Sequence, residues 1–201
     1  MIYTTPSHQF PLGMIMPISR RRELLSFAEA HNSFIFEDDY DSELRYYQRP
    51  ILALKSIDYL DRVIYLGTFS KILSPFFVWA IWFCQNKSTE SFLEKFKFYN
   101  SMVNLLNQIA LANILSSGDY DRLVRKMNHV FKKCYDVFKK EFEQFNTPIK
   151  LSSNVSGQYF LVTFLDKINQ CDAIKRAEKE GVQLYDTCLL YTSDAADDSL
   201  R

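Results

Sequence analysis

The chain contains 201 residues, of which 47% are hydrophobic, and its 24 lysines and arginines are balanced by 24 aspartates and glutamates. This length and apolar content predict one sizeable domain, or one and a half small ones, with a packed core, and they argue against a disordered chain. The balanced charge gives no electrostatic reason to expect binding to nucleic acid or to a membrane surface.

The four cysteines are spread along the chain and include no C-x-x-C pair: Cys84, Cys134, Cys171 and Cys188. No histidine is near them in sequence, so they do not form a zinc motif, and without a signal peptide they indicate a reduced, cytoplasmic protein. The longest nearly apolar run, residues 75–84, is far too short to cross a bilayer. We therefore expect no membrane partner and interpret this run as a buried strand.

In the first half of the chain, apolar runs that end in polar residues alternate with a helical pattern. Residues 1–5 resemble the end of a strand, and Pro and Gly mark residues 5–13 as a loop. Ser19 is a suitable cap for a helix that extends to about His31. The pattern then predicts buried strands at 34–36, 63–66 and 76–83, with a short helix or turn at 52–60. Apolar strands of this kind are typical of a parallel or mixed sheet that is covered on both faces.

After Asn86 the pattern changes to long helices. Residues 88–117 predict one helix that Gly118 ends, and a second long helix begins at Asp119 and extends to about Phe145. A strand at 157–164, a helix at 170–180 and a strand at 182–185 are predicted to follow. We interpret residues 1–87 as the C-terminal part of a large sheet domain, 88–118 as an interdomain helix, and 119–187 as an incomplete small α+β domain. Residues 188–201 are small, acidic and aperiodic, and we expect them to be a non-native tail.

The residues that follow two of the predicted strands have complementary chemistry. The strand at 63–66 is followed by two hydroxyls and an amine, and the strand at 34–36 is followed by carboxylates and a phenol. In α/β sheets the carboxyl ends of strands deliver side chains into a ligand crevice. Pyridoxal phosphate (PLP) needs a lysine for its aldehyde, a carboxylate for its ring nitrogen, a group at its phenolic oxygen and donors for its phosphate. The sequence therefore predicts a PLP site, with Lys71, Asp38, Tyr40, Thr68 and Ser70 in these roles.

Plainer interpretations of the same residues stay open. A lone lysine is usually a solvated surface residue, and the carboxylates at 37–43 are also consistent with a solvated acidic loop or a calcium or magnesium loop. The calcium-loop pattern needs a central glycine and a wider spacing, and the residues after Gly67 lack the second glycine of a Walker A loop. The three histidines lie on unrelated predicted elements, and we interpret them as packing or surface residues: His8, His31 and His129.

Three segments together resemble one protein family: residues 5–13 (TPSHQFPLG), 37–46 (EDDYDSELRY) and 63–75 (VIYLGTFSKILSP). They are similar to the aminotransferase-like domain of MocR/GabR-type transcriptional regulators, within the class I/II, fold-type I PLP-dependent enzymes. The resemblance covers residues 3–185. It implies an α/β, three-layer, fold-type I sheet domain, present in part, plus a small α+β C-terminal domain. It also implies that Lys71 is the Schiff-base lysine, Asp38 the pyridinium partner, Tyr40 the phenolic-oxygen partner and Thr68 a phosphate ligand, in a homodimer.

The chain departs from this family pattern in three places. Val78 stands where the family usually has the arginine that binds the PLP phosphate, seven residues after the lysine. The upstream glycine-rich phosphate loop and its ring-stacking aromatic residue are missing. The arginine that holds a substrate carboxylate would fall beyond Tyr185, where the match ends. The winged-helix domain is also missing, so the resemblance implies a fragment of a larger protein that contacts DNA only through that absent domain.

Three functions remain open at this point. The amino-acid sequences of the second and third segments favour a PLP-binding domain of a MocR/GabR-type regulator, which forms an internal aldimine and senses an amine or amino-acid effector. One alternative is a free-standing class I/II aminotransferase, because fold alone does not separate the two. The other is a degenerate fragment that has lost the cofactor, an alternative that Val78 keeps open.

Overall fold

A computed structural model describes residues 1–47, 51–73, 80–84, 86–99, 103–144, 149–152, 157–165 and 168–187. The elements in chain order are β1 (Ile2–Thr4), α1 (Ile18–Ala30), β2 (Ile35–Asp39), a single 3₁₀ turn (Lys55–Ile57), β3 (Val63–Thr68), β4 (Ala80–Phe83), α2 (Asn86–Lys95), α3 (Leu105–Ser116), α4 (Asp119–Gln144), β5 (Ile149–Leu151), β6 (Val162–Phe164) and α5 (Gln170–Lys179).

Strands β1, β2 and β3 are parallel neighbours, and β4 pairs with β3 in the antiparallel direction. The sheet is therefore mixed, which confirms the predicted α/β class. Both central strands are longer than predicted, because β2 extends through Asp39 and β3 through Thr68. Three consecutive acidic residues normally indicate a loop. Here Glu37 is compatible with a buried strand because its carboxylate accepts hydrogen bonds from the backbone amides of Leu54 and Lys55, at 2.8 and 2.9 Å.

One face of this sheet packs on α1 and forms the main apolar core. Ile35 of β2 is paired in register with Val63 of β3, and both are almost inaccessible to solvent. They form one cluster with Ala28 of α1 and with Leu54, which precedes the 3₁₀ turn. The helical spacing of α1 and the apolar strand centres therefore produce the predicted helix-on-sheet packing.

The edge strand β4 is more exposed than predicted. Trp82 and Phe83 are both exposed, so the expectation of a buried strand is wrong for residues 80–83. Residues 76–79 of the predicted strand, and with them Val78, lie outside the described residues. β4 is hydrogen-bonded to β3 alone among the described strands, and its apolar composition did not reveal this edge position.

Ser19 does not cap α1. The helix begins at Ile18, and its N-cap is Pro17, whose side chain makes no capping hydrogen bond. The first turn is anchored instead by the fully buried guanidinium of Arg21. It donates hydrogen bonds of 2.8–3.0 Å to three backbone carbonyls, those of Pro6, Met16 and Leu52. Since residues 20–22 are all arginine, the sequence did not show which one would be buried.

The single helix predicted for residues 88–117 is wrong. Two helices occupy this range, and Asn104 between them has an extended backbone, with φ −61° and ψ 131°. Its side chain caps α3 by accepting a hydrogen bond of 2.8 Å from the backbone amide of Leu106. Apolar residues continue at helical spacing across the break, so the capping residue was the only local signal of it. The division of the chain at residues 87 and 118 stays a prediction.

The long helix α4 confirms the prediction for residues 119–145. Its Tyr120 joins Leu44 and Ile72 in a second buried apolar cluster. Leu44 follows β2 and Ile72 follows β3, so this cluster fixes the two loops that carry the predicted site residues. Partly buried side chains of the turn that follows β3, of α3 and of α4 surround this cluster: Phe69, Leu73, Ile114, Leu123, Val124, Met127 and Phe131.

The small sheet consists of β5 and β6, which pair in the antiparallel direction. The strand predicted for 157–164 is confirmed only at 162–164, β5 was not predicted, and residues 182–185 do not form the predicted strand. Two strands of three residues are too short to show a period. α5 is confirmed and is capped by Asn169.

Residues 188–201 lie outside the described residues. None of the helices in the described part of the chain has both the length and the apolar character needed to cross a membrane.

Candidate cofactor site

The carboxyl ends of β2 and β3 lie side by side. In their parallel register Asp38 is opposite Leu66, and Thr68 follows two residues later at the end of β3. Parallel neighbouring strands present the residues after them at one edge of the sheet. The structure therefore brings all five predicted site residues to the same edge: Asp38, Tyr40, Thr68, Ser70 and Lys71.

The Asp38 carboxylate is half-buried and contacts a side chain that the sequence did not single out. Its Oδ2 accepts a hydrogen bond of 2.5 Å from Oη of Tyr3, on the neighbouring strand β1. This hydrogen bond is the main reason why the pKa of Tyr3 is raised to about 12. The phenol therefore keeps its proton near neutral pH and holds the carboxylate in place at the strand end.

The adjacent carboxylate of Asp39 lies on the opposite face of the sheet. Side chains alternate between faces along a strand, so two consecutive aspartates meet different surroundings. Asp39 is buried, and its Oδ2 accepts a hydrogen bond of 2.8 Å from Tyr65 Oη. Burial, followed by the nearby charge of Asp39, raises the pKa of Tyr65. Asp38 is thus the more accessible of the two carboxylates, which is consistent with the predicted assignment.

The Tyr40 hydroxyl is engaged by a backbone carbonyl. Its Oη donates to the carbonyl oxygen of His8 at 2.7 Å and lies 3.3 Å from Oη of Tyr159. Burial is the largest cause that raises the pKa of Tyr40, and the contact with Tyr159 adds to it, so the group stays protonated near neutral pH. A phenol has one proton. Donation to a cofactor oxygen therefore requires the Tyr40 proton to turn away from the His8 carbonyl.

The turn that carries Lys71 is anchored by apolar side chains on either side of it. The Phe69 carbonyl accepts hydrogen bonds from the amides of Ile72 and Leu73, at 3.1 and 2.9 Å. Phe69 also packs edge-on against Tyr120, with ring centroids 5.4 Å apart, and Ile72 is buried. Between these anchors Lys71 is exposed. No carboxylate in the described part of the chain lies within ion-pair distance of its Nζ.

The two predicted phosphate donors contact each other. Thr68 Oγ1 lies 2.9 Å from Ser70 Oγ and accepts a hydrogen bond of 3.2 Å from the Ser70 backbone amide. These contacts close a short turn between the strand end and Lys71. The backbone carbonyl of Lys71 in turn accepts a hydrogen bond of 3.4 Å from Gln158 Nε2, which links the turn to the segment before β6.

A buried ion pair supports the edge of the sheet from behind. Arg21 Nη1 lies 3.7 Å from Glu37 Oε1, and both side chains are fully buried. Burial lowers the pKa of Arg21 and raises that of Glu37, while the charge of each opposes the shift of the other. Because Arg21 also binds three carbonyls, the pair ties the loop after β1 to β2. Neither partner was predicted to have a role: Glu37 lies in the acidic segment 37–46 without an assigned task, and Arg21 is one of three consecutive arginines.

The cation-loop alternative depends on ligands that converge on one point. Across the described ranges, no group of three or more His, Cys, Asp or Glu side chains has the arrangement to hold a metal ion.

Comparisons with known proteins extend these observations. No family model matches the chain. The chain is 37% identical over 186 residues to the uncharacterised HTH-type transcriptional regulator YhdI of Bacillus subtilis (strain 168). This alignment covers 92% of the chain and 40% of YhdI. It is 36% identical over 138 residues to the probable rhizopine catabolism regulatory protein MocR of Rhizobium meliloti. This alignment covers 69% of the chain and 28% of MocR.

A solved structure gives the same result for the fold. The crystal structure of Pyrococcus horikoshii kynurenine aminotransferase in complex with PMP matches with a TM-score of 0.77 and 30% identity. The match covers 90% of this chain and 45% of the Pyrococcus chain. The chain belongs to the fold-type I, aminotransferase-like family of the MocR-type regulators. It spans less than half the length of these three relatives.

The donor set of this MocR-type chain fits a PLP-type cofactor. An accessible amine, a carboxylate held at a strand end and a protonated phenol lie at or just after the ends of the neighbouring strands β2 and β3: Lys71, Asp38 and Tyr40. Two hydroxyls stand beside them, and Val78, where the family usually has an arginine, lies outside the described residues.

Proposed function

We propose that this chain is the PLP-binding, effector-sensing part of a MocR-type transcriptional regulator. The observation that carries the proposal is the placement of Asp38 at the carboxyl end of β2 and of Lys71 just after β3, its parallel neighbour in a fold-type I sheet. Its relatives YhdI and MocR support the regulator class. In this proposal contact with DNA belongs to another part of the regulator, the regulator acts as a homodimer, and its location is cytoplasmic.

Each site residue has a defined task in this proposal. Bound PLP supplies an electron-withdrawing ring to which an amino group can be attached. Lys71 would hold the cofactor through its amine, and Asp38 would keep the ring nitrogen protonated, because a fixed carboxylate stabilises a nearby cation. Tyr40 would donate to the phenolic oxygen, and Thr68 and Ser70 would donate to the phosphate.

An amine or amino acid is the effector class that this arrangement selects. Lys71 would hold the cofactor aldehyde through its primary amine, so an effector with a primary amino group would offer the same chemistry at that position. The exposure of Lys71 on a turn, rather than in the core, leaves this position accessible to such an effector. Its neighbours Ile72 and Leu73 belong to the cluster around α4, which connects the turn to the helical part of the chain.

PLP titration of the protein tests this function. We expect a visible absorption band on addition of PLP and a change in the band on addition of amines. Lys71→Ala should abolish the band, whereas the control Lys150→Ala, which removes an exposed lysine on β5, should leave it unchanged. If both variants keep the band, or if the parent protein shows none, the proposal is wrong.

A free-standing aminotransferase is the second candidate, and the likeness to the Pyrococcus enzyme favours it. The two candidates differ in turnover. Repeated conversion of an amino acid and a 2-oxo acid by the PLP-loaded protein would establish the enzyme, and a spectral response without turnover would support the sensor.

A further inference from the structure

His8 and Asp41 form a buried pair that the proposed site does not yet use. His8 is 2% exposed and Asp41 is 4% exposed, and His8 Nδ1 lies 2.7 Å from Asp41 Oδ2. His8 belongs to the loop after β1, and Asp41 follows β2 by two residues. Because an ionised carboxylate only accepts hydrogen bonds, the proton of this contact is on Nδ1. The pair therefore joins two loops that the strands deliver to the same edge of the sheet.

The same two loops are joined a second time through Tyr40. The hydroxyl of Tyr40 donates to the backbone carbonyl of His8 at 2.7 Å, and Tyr40 immediately precedes Asp41 in the chain. The two hydrogen bonds and the backbone between Tyr40 and Asp41 thus close a ring through His8. Neither the Tyr40 phenol nor the His8 backbone can shift without breaking one of these bonds.

A third element covers the pair. The Tyr159 ring stacks on the His8 ring, with centroids 4.8 Å apart and planes inclined by 26°, and its Oη lies 3.3 Å from Tyr40 Oη. Since the Tyr40 proton is directed to His8, Tyr159 is the donor in this contact. Gly157 allows the close approach, because a Cβ built on it would lie 2.5 Å from Asp41 Oδ2 and 2.8 Å from His8 Cε1.

We propose that His8, held by Asp41, is the positioning residue for the Tyr40 phenol: its backbone carbonyl holds the Tyr40 hydroxyl at this sheet edge, from where the proton would turn to the cofactor's phenolic oxygen. The inference rests on the proposed function. A second observation supports a role beyond packing, because His8 Nε2 is buried without a hydrogen-bond partner among the described residues. If this position only required a side chain that fills space, an apolar residue would do so without the free-energy cost of a buried, unpaired nitrogen.

Variants that keep or lose the Nδ1 position test this role. Asn can place an amide nitrogen near the position of Nδ1, whereas Gln places one near Nε2, so His8→Asn should retain the bond to Asp41 and His8→Gln should not. The matched control is His31→Gln, because His31 also makes a contact through Nδ1, to the Phe27 carbonyl, but it is exposed at the end of α1.

The first readout needs no cofactor. Incorporation of 3-fluorotyrosine gives one ¹⁹F resonance per tyrosine, and the Tyr40→Phe variant identifies the resonance of Tyr40. We expect this resonance to move in His8→Gln and to stay near its parent position in His8→Asn and His31→Gln. Tyr59, which is 93% exposed, serves as the internal reference. If His8→Gln does not fold, Asp41→Asn replaces it, with the same expected shift.

The second readout is PLP affinity, measured by the visible band. His8→Gln and Tyr40→Phe should each weaken binding by about tenfold or more, the effect of losing a hydrogen bond to a charged oxygen. The double variant should be no weaker than Tyr40→Phe alone, because His8 acts on the cofactor only through the Tyr40 hydroxyl, which that variant lacks. His8→Asn should stay within a few-fold of the parent protein.

The two ideas fail in different ways. An unmoved Tyr40 resonance in His8→Gln, or additive losses of PLP affinity in the double variant, would overturn the positioning role while leaving the proposed function in place. The absence of any PLP band in the parent protein would overturn the proposed function, whatever the fluorine spectra show.

Discussion

Replacement of Gly157 by alanine measures how tightly the His8–Asp41 pair is enclosed. Gly157 has φ +71°, a conformation that side chains other than glycine adopt at a cost of roughly 1–2 kcal/mol. Its new Cβ would also lie 2.5 Å from Asp41 Oδ2 and 2.8 Å from His8 Cε1. Since Asp41 and His8 are buried among other groups, the pair must separate or the 157–161 segment must move.

The structure supplies two matched controls for the conformational part of this cost. Gly118 and Gly181 have φ values of +73° and +77°, and a Cβ at either position meets nothing within 4 Å. Alanine at these positions should cost about 1–2 kcal/mol, the conformational penalty alone. At Gly157 the loss of a hydrogen bond to a charged group adds about 1.5–3 kcal/mol, which gives a total of about 2.5–5 kcal/mol.

Chemical denaturation of the parent protein and the three alanine variants checks this prediction, with the free energy of unfolding as the measured quantity. We expect Gly157→Ala to be clearly the least stable and to displace the Tyr40 fluorine resonance. Equal losses at all three glycines, with an unmoved Tyr40 signal, would show that the segment does not enclose the pair as described.

Three further predictions concern the site carboxylates and the core. Asp38→Asn should retain part of the PLP affinity but lose the spectral response to amines, whereas Asp39→Asn should keep the response; the opposite result would shift the assignment by one residue. Burial raises the pKa of Glu43, so its contribution to stability is present at acid pH and is lost as pH rises through that raised pKa. Glu43→Gln should therefore flatten the decline of thermal stability as pH rises above the usual titration range of a glutamate, and an unchanged slope would contradict this. Ile35→Ala should cost about 2–5 kcal/mol in denaturation, and the exposed control Ile18→Ala little, because only Ile35 is fully buried.

The sheet and its site edge could be predicted because each central strand is an apolar run followed directly by polar groups. The apolar runs end at Phe36 and Leu66, the strands continue to Asp39 and Thr68, and the pairing of their ends follows from the parallel order. A long apolar stripe likewise predicted α4, because 26 residues contain many repeats of the helical period.

What could not be predicted depends on contacts between distant residues. Nothing in the acidic run shows that Asp39 faces Tyr65 while Asp38 faces Tyr3, since the faces depend on the strand register. The pairing of His8 with Asp41, 33 residues away, follows only from the parallel order of β1 and β2. The strands β5 and β6 are too short to carry a period, and the break before α3 interrupts a pattern that continues on both sides.

The most direct test of the central claim is the identity of the residue that binds the cofactor. Borohydride reduction of the PLP-loaded protein, followed by proteolysis and mass mapping of the peptides, locates the bound pyridoxyl group on the chain. We expect the label on Nζ of Lys71, in the turn after β3 and next to the strand end that carries Asp38. A label on any other lysine, or no label at all, would contradict it.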